Sequence, residues 1–423
     1  MSKDCASQAT DSSTPIAQRV DETSAAARAV PSAAPDAERR EAAAGAPRRR
    51  LCIVTCHHSS AHGGGAEYQI DYLIDALLPL GRYELYYLAR NVDDSYRPSG
   101  YRIVPIGRKD RTLRFGYAID AVALYRRLAE IRPDVIYQRV ACGYTGVCAH
   151  YARRRGARLL WHVAHDADVD GSGSLYGSPL LVLERLSVDY AIAHADVIVV
   201  QSRQQARLLQ SNYGRAADAV IPNFHPAPAE PIDKTGPVTV VWIANLKPWK
   251  RPELFVRVAA ACADLRDVRF VMVGAPPVGH RRWSGPLMEA MAATPNLQYL
   301  GRRTQAEVNG LLARSHLLVN TSTQEGFPNT FIQAWMREVP VVSTFSPDDV
   351  LAREGVGIHA ATATELAAAV RRLITDSRLR AELGARARGY AMTHHSLRNA
   401  LQLERLLAGA ASTDGLDRDL LRR

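Results

Sequence analysis

Nowhere in its 423 residues does the sequence hold an apolar run of the ~18 residues that a membrane-spanning helix needs. The longest candidate, residues 191–200, is broken by His194 and Asp196. Cysteine is sparse: Cys5, Cys52, Cys56, Cys142, Cys148 and Cys262 include no C-x-x-C pair, which removes the usual zinc-ribbon and redox motifs. With no signal-peptide core, buried reduced thiols and a cytoplasmic location are expected. There is no G-x-G-x-x-G followed by an acid about 20 residues later, and no glycine loop ending in Gly-Lys-Ser/Thr. A dinucleotide oxidoreductase and a P-loop nucleotidase are therefore disfavoured. No recognised nucleic-acid-binding motif is present, so no nucleic-acid partner is expected. The first 50 residues contain no Leu, Phe, Trp or Tyr but 14 alanines, 6 serines, 8 basic and 7 acidic residues. Such a segment cannot bury enough apolar surface to offset its ordering entropy, and residues 1–50 are expected to be a disordered tail. Its closing Arg48-Arg49-Arg50 cluster reads as a solvated charge run.

What is present is ordinary globular material, 47% apolar and 23% charged, with a net charge of +10. The excess of positive charge suits phosphorylated substrates, anionic membrane or nucleic acid without choosing among them. Beyond the tail, short β-branched runs alternate with helical periodicities. LCIVT (51–55) is followed by a Gly-rich loop and by apolar residues at helical spacing (Ile70, Leu73, Ile74, Leu77, Leu78). The alternation continues through DVIYQRV (134–140), RLLWHVA (158–164) and DVIVV (196–200). The run 226–237 has four prolines in twelve residues and no periodicity, a linker signature. A second alternating set begins at VTVVWIA (238–244) and passes HLLVN (316–320) and PVVST (340–344). Strands alternating with helices mean parallel, doubly wound sheets. The expected fold is α/β, with a Rossmann-like domain at 51–228, a linker at 229–237, a second such domain at 238–392, and a C-terminal helix and tail at 393–423. That last helix is expected near Leu397 to Leu407, and the family resemblance given below implies that it packs back on the first domain.

Two loops carry candidate chemistry. Gly63, Gly64 and Gly65 stand where the first strand hands over to a helix; glycines admit close backbone approach and a helix start offers unpaired N–H groups, although a plain tight turn explains them as well. STQEGFPNTFIQAWM (322–336) lies between two strands of the second set. Glu325 falls just beyond a strand's carboxyl end, where open α/β sheets bind ligands. Gly326 permits close approach, the amides near Asn329 and Thr330 open the helix, and Gln333 lies one turn inside it. These groups suit a ligand bearing hydroxyls and phosphates. Taken alone, a helix cap is the lesser alternative for Glu325.

EGFPNTFIQAW resembles the E-x7-E signature of family 4 glycosyltransferases, retaining enzymes of the GT-B fold, in which two Rossmann-like domains face each other across a cleft. GGGAEYQ resembles their N-terminal glycine loop, and HADVIVVQS with VIPNF (220–224) the close of their first domain. WIANLKPWKRPELFV (242–256) resembles the segment bearing their diphosphate-binding basic pair. In this order the matches cover roughly residues 51–390. The resemblance implies that a sugar passes from a nucleotide diphosphate sugar to an acceptor hydroxyl with retained configuration, in polysaccharide or glycolipid biosynthesis. Glu325 would contact the donor sugar, and the amides of Gly326, Phe327 and Asn329 its hydroxyls and phosphate. Gln333 replaces the second acid, which holds ribose, and exchanges a charge-assisted bond for a neutral one. Lys250 matches the lysine of the basic pair. Asn245 stands at the arginine position, with Lys247 two residues on as a point charge without a guanidinium fork. His165, ending a strand, would serve the donor sugar or the acceptor. Gly64, Gly65 and Thr330 complete the donor side.

Breaking a sugar–phosphate bond builds negative charge that lysines and helix amides must meet. Neither cofactor nor metal is expected, and Asp166-Ala-Asp168 is not read as a metal motif. His162 is expected in the core, and Gly274, Arg302 and Arg303 either frame the base or are surface residues. Zinc at Cys56, His57, His58 and His62 would have no standard spacing. The acceptor is expected to be a glycan or lipid-linked, and the basic surface to meet an anionic membrane peripherally. A decayed GT-B scaffold is the alternative that Asn245 and Gln333 suggest.

Overall fold

A computed structural model describes residues 47–61, 63–107, 116–171, 181–275 and 281–410. Most of the expected tail, and His62, lie outside them. Strand β1 (Arg49–His57) begins before Leu51, so Arg49 and Arg50 are not tail residues. Their backbones pair with Tyr83 and Glu84. Arg49 Nη1 donates to the Leu407 carbonyl at 3.1 Å and Arg50 Nη1 to that of Ile131 at 2.8 Å. These carbonyls, invisible to local composition, take both side chains out of the solvated run.

β1 joins β2 (Tyr83–Asn91), β3 (Arg102–Pro105), β4 (Val135–Arg139), β5 (Arg158–His162), β6 (Val197–Val200) and β7 (Ala219–Val220) in a parallel sheet ordered 3-2-1-4-5-6-7. A second parallel sheet holds β8 (Val238–Ile243), β9 (Val268–Val273), β10 (Leu297–Tyr299), β11 (Leu317–Asn320), β12 (Val341–Ser343) and β13 (Gly357–His359), ordered 10-9-8-11-12-13. Helices cover both faces of each sheet, so strands such as VIVV in β6 and LLVN in β11 are buried throughout. In each sheet the chain starts in the middle, winds to one edge, then resumes on the other side. The order reverses between β1 and β4 and between β8 and β11, and at such points the loops leave the strands' carboxyl ends in opposite directions and open a crevice.

Several elements depart from sequence expectation for identifiable reasons. The helix after the glycine loop ends at Leu77, because Pro79 turns Leu78–Leu80 into a 3-10 segment. The helix after β4 starts at Gly143, four residues ahead of its first aliphatic residue, Val147, where the Cys142 N–H donates to Thr145 Oγ1 at 3.0 Å. Arg281–Ala292 is a helix despite Gly285-Pro286, a turn signal in isolation; burial of Leu287 and Met291 overrides it. Among the described residues no helix is long and apolar enough to cross a membrane.

Helix Ser377–His394 packs Leu383, Ala387 and Ala391 on the second sheet's cores. The following helix, Arg398–Ala408, returns to the first sheet. There Ala400, Leu403, Leu406 and Leu407 share a core with Leu51, Ile53, Ile70 and Leu73. The contact is pinned by the Arg82–Glu404 ion pair at 2.9 Å and by Arg158 Nη1 on the Leu406 carbonyl at 2.5 Å. Burying each leucine contributes about 1.5–3 kcal/mol.

Leu403 is fully buried, whereas Leu401 on the same helix is 45% exposed. We expect Leu403→Ala to cost about 2–5 kcal/mol in urea denaturation. Leu401→Ala should stay within about 0.5 kcal/mol of wild type.

Candidate active site

The loops leaving the two reversal points face each other across a cleft of about 410 Å³. From the first sheet come Gly63–Gly65 and Glu67 after β1, Val140 and Ala141 after β4, and His165 after β5. From the second come Asn245, Lys247 and Lys250 after β8, Gly274 after β9, and Glu325 to Gln333 after β11. Arg302 and Arg303 close one side.

Lys250 and Glu325, 75 residues apart in sequence, form an ion pair on the second-sheet side. Their loops are stapled together. Thr321 Oγ1 donates to the Lys250 carbonyl at 2.5 Å, and Arg251, in the left-handed region at φ 45°, donates Nε to the Thr321 carbonyl at 2.7 Å. Ser322 Oγ donates to Glu325 Oε1 at 2.7 Å. Burial alone would raise the Glu325 pKa, but the Lys250 charge and the Lys250 and Ser322 hydrogen bonds outweigh it and hold the carboxyl below its ordinary value. Glu325 is therefore not a helix cap. Lys247 lies with its ammonium 4.9 Å from the Trp249 ring centre; burial, then the nearby Lys250 charge, lowers its pKa. A carboxylate with two cations at the start of helix Asn329–Trp335 can hold an anion and hydroxyl groups together.

Gln333 is buried, and its Nε2 already donates to Gln305 Oε1 at 2.6 Å and Asn309 Oδ1 at 3.0 Å. Of its two amide functions, the carbonyl is the one left for a ligand. One expected donor-side amide, that of Phe327, belongs instead to the seam between the halves. The Phe327 N–H donates to Gln201 Oε1 at 3.2 Å and its carbonyl accepts from Asn223 Nδ2 at 2.8 Å, so that amide is not open to a ligand. The Asn329 side chain accepts from Asn223 at 2.9 Å and donates to the Gly65 carbonyl at 2.7 Å. The glycines serve the same contact. A Cβ on Gly326 would lie 2.3 Å from the Ala164 carbonyl oxygen, and one on Gly65 2.9 Å from Asn329 Nδ2. Asp348 reaches across the seam and accepts the N–H groups of Arg203 and Gln204 at 2.8 and 2.9 Å.

His165 Nδ1 accepts the Ala167 N–H at 3.1 Å, which leaves Nε2 as the protonated nitrogen. Asp168 accepts the N–H groups of Ala164 and His165, and Asp166 accepts from Gln205 Nε2 at 3.1 Å, so both shape the turn that presents His165. His162 is buried between the Tyr137 hydroxyl and Arg139, each 2.9 Å from Nδ1. His58 is engaged by Ser60 and Tyr101. Among the described residues no group of three or more His, Cys, Asp or Glu could hold a metal ion.

Sequence reasoning missed Glu67, Arg139, Asn223 and Ser322. Glu67 and Asn223 stand inside runs already noted for their pattern, GGGAEYQ and VIPNF, and an acid at a helix start facing a glycine loop was the available signal. Glu67 lines the cleft opposite Lys247, and burial pushes its pKa up to about 7 against opposing charges from Arg139 and Lys247. Arg139 has no local signal, since it is an arginine inside a buried strand; it donates Nη2 to Asn223 Oδ1 at 2.5 Å.

Known proteins are similar to this chain in sequence and fold. Residues 63–225 match the model described as Glycosyltransferase Family 4, and residues 237–376 that described as Glycosyl transferases group 1. Both halves thus carry glycosyltransferase domains. Glycosyltransferase 1 domain-containing protein 1 of Xenopus tropicalis is 29% identical over 94 residues, 22% of this chain and 27% of that protein's length. Among solved structures, HepE of Anabaena, crystallised with UDP and glucose, is 17% identical with a TM-score of 0.69, covering 86% of this chain and all of its own. WaaG, described as a glycosyltransferase of lipopolysaccharide biosynthesis, is 13% identical with a TM-score of 0.70 over 85% of this chain and all of its own. The two-sheet arrangement is the GT-B fold.

Two outcomes follow. Folding raises the Glu67 pKa from 4.5 to about 7, so the native state holds more protons than the unfolded one between those values and stability falls as pH rises through them. Asp71 and Asp166, both raised to about 6, add to the slope. Glu67→Gln should flatten the decline in melting temperature across that window. Gly326→Ala should force the halves apart at Ala164, read as a larger radius of gyration in X-ray scattering.

Proposed function

We propose that the two glycosyltransferase domains form an enzyme moving a sugar from a nucleotide diphosphate sugar to an acceptor hydroxyl, with retention of configuration. The observation that carries this reading is the Lys250–Glu325 pair, set at the carboxyl ends of β8 and β11 and facing the glycine loop across the cleft. UDP is the favoured nucleotide, because HepE has been crystallised with UDP and with UDP-glucose at the same fold. Lys250, with Lys247, neutralises the charge that builds on the departing diphosphate, and no metal is required for that role. Ionised Glu325 and the Gly326 backbone position the sugar, with Asn245 and Thr330 beside the diphosphate. The Gln333 carbonyl accepts from a ribose hydroxyl.

On the acceptor side, His165 presents an N–H to the sugar or the incoming hydroxyl. Glu67, half-ionised near neutrality, is suited to accept that hydroxyl's proton. The acceptor is a glycan or lipid-linked group, the setting polysaccharide or glycolipid biosynthesis, and the enzyme cytoplasmic and peripheral on an anionic membrane face. The net charge of +10 supports that last element. A binding module without turnover is the competing reading, favoured by the engagement of Gln333 Nε2 with Gln305 and Asn309.

Thermal shifts with UDP, GDP and ADP test the proposal. A nucleotide at 100 times its dissociation constant stabilises by about 2.7 kcal/mol. The midpoint should rise by roughly a few degrees with UDP in wild type and by far less in Lys250→Ala. No shift with any nucleotide would sink the reading. A UDP shift without release of UDP from UDP-glucose, to acceptor or water, would favour the binding module.

A further inference from the structure

A second cavity lies apart from the cleft. It has a volume of about 670 Å³ and lies at the opposite, amino-terminal edge of the first sheet. Arg49 and Arg50 open β1 there, Arg132 follows helix Gly116–Ile131, Asp134 precedes β4, and Arg155 closes helix Gly143–Arg155. The sheet brings them together, since β1 and β4 pair in register at Leu51 and Val135.

Four guanidiniums meet one carboxylate in this cavity, and the carboxylate is otherwise employed: Asp134 Oδ2 accepts the Arg50 backbone N–H at 2.7 Å. Arg49 and Arg50 are oriented by the carbonyls of Leu407 and Ile131, which fix their direction without neutralising their charge. Among the described residues Arg132 and Arg155 have neither an ion pair nor a side-chain hydrogen bond, whereas Arg82, Arg127 and Arg371 each find an acid. Both unpaired guanidiniums act on the Tyr151 hydroxyl: burial raises its pKa, and Arg155 and Arg132 pull it down. Tyr151 also lines the cavity. Arg132 is held in the left-handed region, φ 54°, directly before Pro133, a backbone state that side-chain-bearing residues avoid.

Four guanidiniums against the single Asp134 carboxylate leave a net positive rim, with Arg132 and Arg155 exposed, which a bound anion would complete. Guanidinium forks match the paired oxygens of a phosphate group. We propose that this cavity is a second anion site, which binds a phosphate group of at least two negative charges through Arg132 and Arg155, with Arg49, Arg50 and Tyr151 around it. It stands on none of the donor-site reading. Its link to the cleft is physical: β1, nine residues long, runs from the cavity to the glycine loop over ~25–30 Å. The phosphate is either soluble or a lipid headgroup, and the chemistry of recognition is the same.

The test is calorimetric titration of the full-length protein with inorganic pyrophosphate. Wild type and Lys250→Ala should both bind at this site, and Arg132→Ala/Arg155→Ala should weaken binding by about tenfold or more. Arg132→Lys/Arg155→Lys should recover part, keeping charge but losing the fork. The double alanine variant should melt no lower than wild type, because neither side chain has a partner to lose; if it does melt lower, Arg155→Ala alone replaces it. No binding by Lys250→Ala, or binding that the two alanine substitutions leave intact in the Lys250→Ala background, overturns the proposal. Co-sedimentation with phosphatidylcholine vesicles containing phosphatidic acid separates the sources. Pelleting lost in the alanine variant identifies a lipid headgroup, and pyrophosphate binding without pelleting identifies a soluble phosphate.

Discussion

The geometry of the cleft depends on one side-chain amide. Asn223 accepts from the buried Arg139 guanidinium on the first-sheet side and donates to the Phe327 carbonyl and the Asn329 side chain on the second. Arg139 in turn is braced by Tyr137 and His162. A buried amide with both functions satisfied across a seam is worth more than its few bonds, because removing it strands several polar groups at once. Around it the backbones approach so closely, Gly326 on Ala164 above all, that only glycine fits. The loop carrying Glu325 is thereby held against the strand end carrying His165.

This arrangement changes the meaning of the glycines. In a loop at a strand's carboxyl end, glycine is naturally read as room for a ligand. Here Gly65 and Gly326 are room for the other half of the protein. The cleft is the space left where that contact ends, and its polar groups divide accordingly: Asn329 and Phe327 tie the halves, while Lys250, Glu325 and Lys247 remain turned to the ligand side.

The two sheets were legible in the sequence because parallel strands buried on both faces are written as short apolar β-branched runs, and the order of the motifs located Glu325 and Lys250. Three things were not legible. Long-range carbonyl acceptors decide the fate of Arg49 and Arg50, and nothing within a few residues of them signals Leu407 or Ile131. Partner choice within the site, such as Gln333 with Gln305 and Asn309, depends on a neighbouring helix whose register no local pattern carries. The burial that lifts Glu67 is collective, and a lone acid after three glycines reads as a helix start. The helix over Arg281–Ala292 was hidden for the opposite reason, since its local signal was strong and tertiary packing overruled it.

The return of the last helix has a consequence for how the protein is made. Ala400, Leu403, Leu406 and Leu407 complete the core that Leu51, Ile53, Ile70 and Leu73 begin, so that face of the first sheet cannot be sealed until residues 400–407 have been made. During synthesis the amino-terminal half carries an open apolar surface while the other half is still being translated. Folding of the first domain ahead of the second would leave that patch uncovered. Such a chain has reason to be translated quickly through its second half or to be shielded by a chaperone, and shortening it at the carboxyl end would damage the half farthest from the cut in sequence.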